Sequence, residues 1–344
     1  MNREAGHDAG GGTGSDAPRE PGPPGAGGEV DLQAVRDARK RIRGRVHRTP
    51  LFSATLLGRR AGGVDLHLKA ENLQKTGSFK VRGVLNKLLG MGPDERELGV
   101  VTVSAGNHAQ ALAWGSSSAG IDCKVVMPES APRAKVDACR GYGAEVLLEG
   151  DVFDAFRKAR ALAEEEGRTF VHPFDDPEIV AGQGTVGLEM AADLPGADAV
   201  VVPVGGGGLL SGIAVAVKAV APETRVYGVE PEGADSMRRS LDRGGPVELD
   251  EVDTIADGLG SPMAGELTYP LVRDHVDDVV LVSDDAIAAA MGRLLTFTKL
   301  LAEPAGAAGV AALREGRVPV EEGETVAAVL SGGNVDLDRL VELL

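Results

Sequence analysis

Residues Ala199–Val220 read AVVVPVGGGGLLSGIAVAVKAV. A β-branched run, Ala199–Val202, leads into four consecutive glycines, Gly205, Gly206, Gly207 and Gly208, and then into an apolar-periodic stretch that starts at Leu209. This is strand, glycine turn, helix, the repeating half of a βαβ chain. Four glycines in a row expose backbone N–H groups at a helix N-terminus, where an oxyanion is favoured. A tight turn accounts for one or two glycines and leaves the rest without a reason. The loop therefore reads as a phosphate cradle, although nothing in it names the owner of the phosphate. The dinucleotide pattern G-x-G-x-x-G fails here: its last position falls on Leu210 or on Ser211, depending on the starting glycine. Glu230 still ends the next predicted strand, where a ribose-binding acid would stand. On these residues alone a nicotinamide or flavin oxidoreductase stays open.

Working outward, the same alternation covers the chain. Predicted strands are Val64–Leu68, Val100–Val103, Cys123–Met127, Glu145–Leu148, Phe170–His172, Arg225–Val229, Val279–Val282 and Val326–Leu330. Helical stretches between them include Pro132–Arg140, Phe153–Glu166, Glu178–Ala192, Leu209–Val220 and Asp285–Leu300. Such alternation predicts a mainly parallel sheet with helices on both faces and ligands at the carboxyl ends of strands. With 344 residues the chain is long enough for about two domains. Glycine is 48 of these residues, about twice the usual share of roughly 7%. Residues 1–28 hold nine of the glycines and four prolines, a composition expected of a disordered tail. A net charge of −16 argues against nucleic-acid and membrane-surface partners. No stretch approaches the ~20 apolar residues of a membrane span. Two cysteines, Cys123 and Cys139, are too few for a disulfide framework, which favours a cytoplasmic location.

Three further segments follow predicted strands. Lys69–Gly83 reads KAENLQKTGSFKVRG, with Ser78 placed as an N-cap and Lys80 in the first helical turn. A cation there opposes the helix dipole, and Arg82 lies two residues on. A lysine disfavoured as a cation holds more free amine, which Schiff-base chemistry requires; a solvated surface charge is the plainer reading of any one lysine. Ser104–Gln110, SAGNHAQ, offers Ser104, Asn107 and His108: a hydroxyl, an amide suited to hold a polar ligand atom, and an acid–base candidate that a neighbour in the core could equally satisfy. Val329–Asn334, VLSGGN, puts Ser331 in an open turn, which a simple hydroxyl turn explains as well.

Taken together and in this order, KTGSFKVRG, SAGNHAQ, AGQGT (Ala181–Thr185), GGGGLLSG and LSGGN resemble the pyridoxal-phosphate enzymes of the tryptophan-synthase-β fold type (fold type II), in the serine/threonine dehydratase and serine racemase branch. The resemblance spans about Val46 to Leu337. It implies two open α/β domains with mainly parallel sheets and the cofactor in the cleft between them: residues 29–98 and 176–344 as the large domain, 99–175 as a small mobile one. It implies that Lys80 carries pyridoxal 5′-phosphate as a Schiff base and that Phe79 packs on the ring. Asn107 would meet the ring 3-oxygen, Gly205–Gly208 and Leu209 the phosphate, and Ser331 the pyridine nitrogen. A neutral hydroxyl there makes the ring a weaker electron sink, favouring prompt loss of a β-leaving group over transamination. Ser104 and His108 would help hold the substrate carboxylate. The dinucleotide reading has no use for Lys80 and yields.

The implied activity is β-elimination from L-threonine or L-serine, giving 2-oxobutyrate or pyruvate plus ammonia. Serine racemase and 3-hydroxyaspartate dehydratase are the alternatives within the family. In eukaryotic-type racemases a serine follows the position of Ser104 and serves as the second acid/base; here that residue is Ala105, which has no proton to give. Phe174 in HPFDDP reads as dehydratase-like. Val81 and His108 depart from the branch that makes cysteine or threonine. The chain ends ten residues after Asn334, so no C-terminal regulatory domain is expected. Some members bind a divalent cation on the turn that matches Glu230, Ala234 and Ser236, where Ser236 replaces a carboxylate; a divalent or monovalent cation is thus an optional second cofactor. The implied partners are a small hydroxy amino acid and further copies of the chain, as a homodimer or homotetramer.

Overall fold

The computed structural model describes residues 30–344, so the expectation for the 1–28 tail lies outside the described residues. The chain runs α1 (Leu32–Ile42), β1 (Leu51–Ser53), α2 (Thr55–Gly58), β2 (Asp65–Ala70), α3 (Lys80–Gly90), α4 (Pro93–Leu98), β3 (Val100–Val103), α5 (Asn107–Ala119), β4 (Cys123–Met127), α6 (Arg133–Gly141), β5 (Glu145–Leu148), α7 (Val152–Glu166) and β6 (Thr169–Phe170). It continues through α8 (Pro177–Asp193), β7 (Ala199–Pro203), α9 (Gly208–Val220), β8 (Arg225–Pro231), α10 (Ser236–Arg243), α11 (Thr268–His275), β9 (Asp278–Val282), α12 (Asp284–Thr298), α13 (Pro304–Arg314), β10 (Thr325–Leu330) and α14 (Leu337–Leu343).

Two sheets result. One has six strands in the order β1-β2-β10-β7-β8-β9, and the other has four, β5-β4-β3-β6. Every pairing is parallel except β1 with β2. Central strands β7 and β10 are buried on both faces, as helices on either side require. The three-residue antiparallel edge strand β1 is absent from the sequence expectation, because it is too short to show a period.

Helix α8 is buried along most of its length and packs on both α3 and α9. Small residues permit this approach: a Cβ on Gly182 would lie 2.5 Å from Gly83 Cα, and one on Gly184 would lie 2.7 Å from Gly212 O. Helix α3 also sends Val81, Val84, Leu85 and Leu88 into the core beneath the four-stranded sheet, together with Leu112 and Val125. The helix that carries Lys80 is thus packed between α8 and α5.

Three helix ends differ from expectation. Helix α3 has Phe79, not Ser78, at its N-cap and starts at Lys80; Ser78 is extended (φ −158°) and its Oγ makes no hydrogen bond. Ser104 does not cap α5; Gly106 stands at the N-cap, and Ser104 Oγ instead accepts from Gly106 N at 3.1 Å. Helix α12 ends at Thr298, because Lys299 turns left-handed (φ 63°). Among the described residues no helix is long and apolar enough to cross a membrane.

Candidate active site

The carboxyl ends of β2, β3, β6, β7 and β10 release the segments singled out above, and contacts between them bring the ends of both sheets onto one cleft. Lys80 is the first residue of α3. Its approach is a tight turn in which Thr76 (φ 60°) and Gly77 (φ 74°) are both left-handed. Phe79 N donates to Ser331 O at 3.1 Å, and Ser78 bridges Gly332, so the end of β10 and the start of α3 hold each other. Lys80 Nζ donates to Pro173 O at 2.8 Å and lies 5.2 Å from the Phe79 ring centre. Burial lowers its pKa from 10.5 to about 8, against the attraction of Glu303.

Beyond Pro173 lies the glycine loop. The Phe174 ring covers Gly206, where a Cβ would fall 2.3 Å from the ring tip. Gly207 is left-handed (φ 94°), and a Cβ there would lie 2.7 Å from both Met237 and Thr268. Thr268 Oγ1 donates to Gly206 O at 2.6 Å, fixing the loop from behind. The N–H groups of Gly205, Gly206, Gly207, Gly208 and Leu209 find no acceptor among the described residues. They stand at the N-terminus of α9, an arrangement suited to a phosphate.

Asn107 begins α5, and both ends of its amide are engaged. Nδ2 donates to Glu303 Oε1 at 2.6 Å, and Oδ1 accepts from Asn334 Nδ2 at 2.7 Å. Glu303 is 8% exposed, and burial pushes its carboxyl up to about 7, with the Asn107 hydrogen bond opposing. Ser331 is buried beside Phe79. Ser104 is half-buried at the mouth of the β3–α5 turn. His108 points the other way: it is buried, its Nε2 lies 3.2 Å from Val171 O, and burial with the nearby Lys80 charge lowers its pKa to about 3. A neutral imidazole offers no charge to a carboxylate, so only the backbone N–H of His108 is available for that role.

Sequence reasoning misses Glu303, Asn334 and the 172–175 segment as parts of the cleft. His172 Nδ1 accepts from Asp175 N at 2.8 Å, and its ring meets Phe174 edge-on at 4.7 Å. Asp175 in turn accepts the N–H groups of Glu266, Leu267 and Thr268 at 3.0–3.2 Å. HPFDDP is legible as a motif, but its carbonyl contact with Lys80 is purely tertiary.

At the end of β8, Glu230 is fully buried and accepts from Met237 N at 2.9 Å and Arg238 N at 2.8 Å. Burial raises its pKa to about 8, with both hydrogen bonds opposing. Ala234 is buried, and Ser236 Oγ is buried without a partner. No group of three or more His, Cys, Asp or Glu among the described residues is placed to hold a metal ion.

The residues fit pyridoxal 5′-phosphate: acceptor-free N–H groups at a loop with no room for a Cβ on Gly206, Gly207 or Gly208, and across the Pro173–Phe174 segment a lysine whose pKa burial lowers to about 8. Thr76 Oγ1 and Ser78 Oγ, in the turn that leads to that lysine, are also buried without partners. Fold and site together place a buried lysine and a glycine turn at the start of a helix on the strand ends of an α/β chain. Residues 42–332 match the family described as pyridoxal-phosphate dependent enzyme, and the chain belongs to it. It is 45% identical over 316 residues to L-threonine ammonia-lyase of Thermotoga maritima, covering 92% of this chain and 78% of that protein. It is 44% identical to the catabolic L-threonine dehydratase TdcB of Escherichia coli K12, covering 91% and 96%. Among solved structures, maize serine racemase superposes with a TM-score of 0.87 at 38% identity, covering 91% of this chain and 96% of that one. The processed form of threonine deaminase isoform 2 from Solanum lycopersicum gives 0.86 at 37%, covering 90% and 91%.

Proposed function

We propose that the chain is an ammonia-lyase acting on L-threonine, L-serine or both, converting them to 2-oxobutyrate or pyruvate with release of ammonia. The observation that carries this reading is Lys80, held at Pro173 O with its pKa lowered by burial to about 8, beside a loop of acceptor-free N–H groups. Relatives at 44–45% identity that bear threonine ammonia-lyase or dehydratase names support it.

Pyridoxal phosphate, when bound, supplies the electron sink that makes the substrate Cα proton removable and the β-hydroxyl a leaving group. The chain supplies the rest. Gly205–Gly208 and Leu209 would hold the phosphate, Phe79 would pack on the ring, Asn107 would serve its 3-oxygen, and Ser331 would serve its nitrogen. Lys80 would anchor the cofactor, and its Nζ, as free amine, would be the base that receives the substrate Cα proton. Ser104 Oγ and the His108 N–H orient the substrate carboxylate. Phe174 and the 172–175 segment shield the cleft from water.

Residues 99–175 form the smaller body and 29–98 with 176–344 the larger, and relative motion of the two opens the cleft. At the turn of Glu230, Ala234 and Ser236 a weakly held cation would meet the unpaired Ser236 hydroxyl, but it would have to displace the Met237 and Arg238 N–H groups from the buried Glu230 carboxyl. A cytoplasmic homodimer or homotetramer is the assembly we infer, the location from two buried thiols in a chain with no disulfide framework. Racemisation is the second reading, favoured by the maize structure and disfavoured by Ala105, which offers no proton. Protein reconstituted with pyridoxal phosphate is expected to form 2-oxo acid from L-threonine or L-serine without accumulating the D-isomer. No oxo acid from either amino acid overturns the elimination reading, and rapid racemisation reverses the Ala105 argument.

A further inference from the structure

Arg82 lies two residues after Lys80 and has no part in the chemistry above. It is completely buried, as are Lys69 and Glu71, while Glu189 is 8% exposed. Arg82 Nε and Nη2 grip the two oxygens of Glu71, each at 2.8 Å. Nη1 and Nη2 grip Glu189 at 2.8 and 2.9 Å, and the remaining N–H capacity goes to Thr185 Oγ1 and His47 O. Lys69 Nζ completes the cluster, donating to Glu189 at 2.6 Å and to Thr49 O at 2.8 Å. Two cations and two carboxylates thus sit out of water with every donor of the guanidinium used.

Such a cluster is a poor device for stability alone. Desolvating four charges costs about what their attraction returns, and apolar residues of similar volume often serve as well. What it supplies is geometry, because a doubly bidentate guanidinium tolerates little rotation or slide. The start of α3 needs such fixing. It carries Lys80 at its first position against the helix dipole, follows a left-handed turn, and has no side-chain cap. At 100° per residue, Arg82 leaves the helix on the side opposite Lys80, one facing the cluster and the other the cleft. The anchor is also well chosen. Glu189 belongs to α8, which follows the Pro173–Phe174 segment and packs on α9, the helix behind the glycine loop. The cluster therefore ties the helix of Lys80 to the helix that locates both Pro173 O and the phosphate cradle.

We propose that Arg82 is a positioning residue that sets where Lys80 Nζ stands relative to the cofactor loop; this rests on reading Lys80 as the cofactor lysine. Arg82→Lys keeps the charge and loses the fork. Misplacement by a fraction of an ångström to an ångström is expected to lower kcat by about ten- to a hundred-fold, with KM little changed and with weaker pyridoxal phosphate binding by the apoprotein. Lys69→Met removes a charge that reaches Arg82 only through Glu189. It is expected to lower the melting temperature and to cost kcat and cofactor affinity less than Arg82→Lys does, because the fork of Arg82 on Glu71 stays in place. If Arg82→Lys does not fold, Glu71→Gln/Arg82→Gln leaves Lys69 and Glu189 as a balanced pair and should show the same kcat loss. Wild-type kcat and cofactor affinity in either Arg82 variant overturns the proposal. So does a loss of kcat in Lys69→Met matching that in Arg82→Lys, since the role is then one of stability. Borohydride reduction of wild-type holoenzyme checks the underlying reading separately: a cofactor adduct away from Lys80 sinks that reading, whereas an adduct on Lys80 with unchanged kcat in the variants sinks only the positioning role.

Discussion

Lys80 and Glu303 form a coupled pair whose charges depend on one another. Burial disfavours the ammonium, and Glu303 partly restores it, leaving Lys80 near 8 where an exposed lysine titrates at 10.5. In the apoprotein, labelling of Lys80 by an amine-selective reagent, read by mass spectrometry across pH, should reach half its maximal rate near pH 8. Glu303→Gln removes the carboxylate that favours the cation, so the midpoint should move to lower pH. A midpoint near 10.5, or a shift upward in the variant, would contradict this coupling. The half of this pair that sequence reading finds is instructive. Lys80 is legible because a cation in the first turn of a helix is a local anomaly. Glu303 is not, because an acid between Ala302 and Pro304 looks like any exposed helix cap until α13 delivers it to Asn107, 196 positions away. His108 shows the converse: its residue type suggests side-chain chemistry, and burial against Val171 leaves only its backbone for the task.

Among the elements, the strand ends decide most. Sequence periodicity locates nine of the strands to within a residue or two, since buried parallel strands are dense in valine and alanine and are punctuated by glycine. The boundaries of Cys123–Met127 and Glu145–Leu148 agree with the structure. The start of α3 falls one residue later than composition suggests, since Ser78 is a good cap by type but is drawn instead into a bridge with Gly332. The glycine loop is the element most intolerant of change. Gly207→Ala imposes a side chain at φ 94° and within 2.7 Å of Met237 and Thr268, a combined cost of about 2–4 kcal/mol. The expected outcome is a rise of at least about ten-fold in the pyridoxal phosphate dissociation constant, with the far-ultraviolet circular dichroism unchanged. Wild-type affinity in this variant would remove the loop from the phosphate site.

At the scale of the molecule, the cleft is closed by contacts between the two sheets' loops rather than by one continuous core. Across its mouth Lys135 on α6 lies 3.6 Å from Asp257, with the aspartate largely exposed. Exposed pairs contribute about 0–1 kcal/mol. Lys135→Ala should therefore raise KM for the amino acid by no more than about five-fold and leave kcat unchanged in steady-state assays; a large kcat loss would show that Lys135 does more than hold the mouth. The net charge of −16 bears on none of this, because the groups proposed to meet the phosphate are backbone N–H groups, which carry no net charge. The central claim is that the cofactor sits on Lys80, opposite the glycine loop. The most direct test is borohydride reduction of the holoenzyme, followed by tryptic digestion and mass spectrometry. The adduct should block cleavage after Lys80 and appear on the peptide Thr76–Arg82. An adduct on any other lysine, or none at all, would contradict the account.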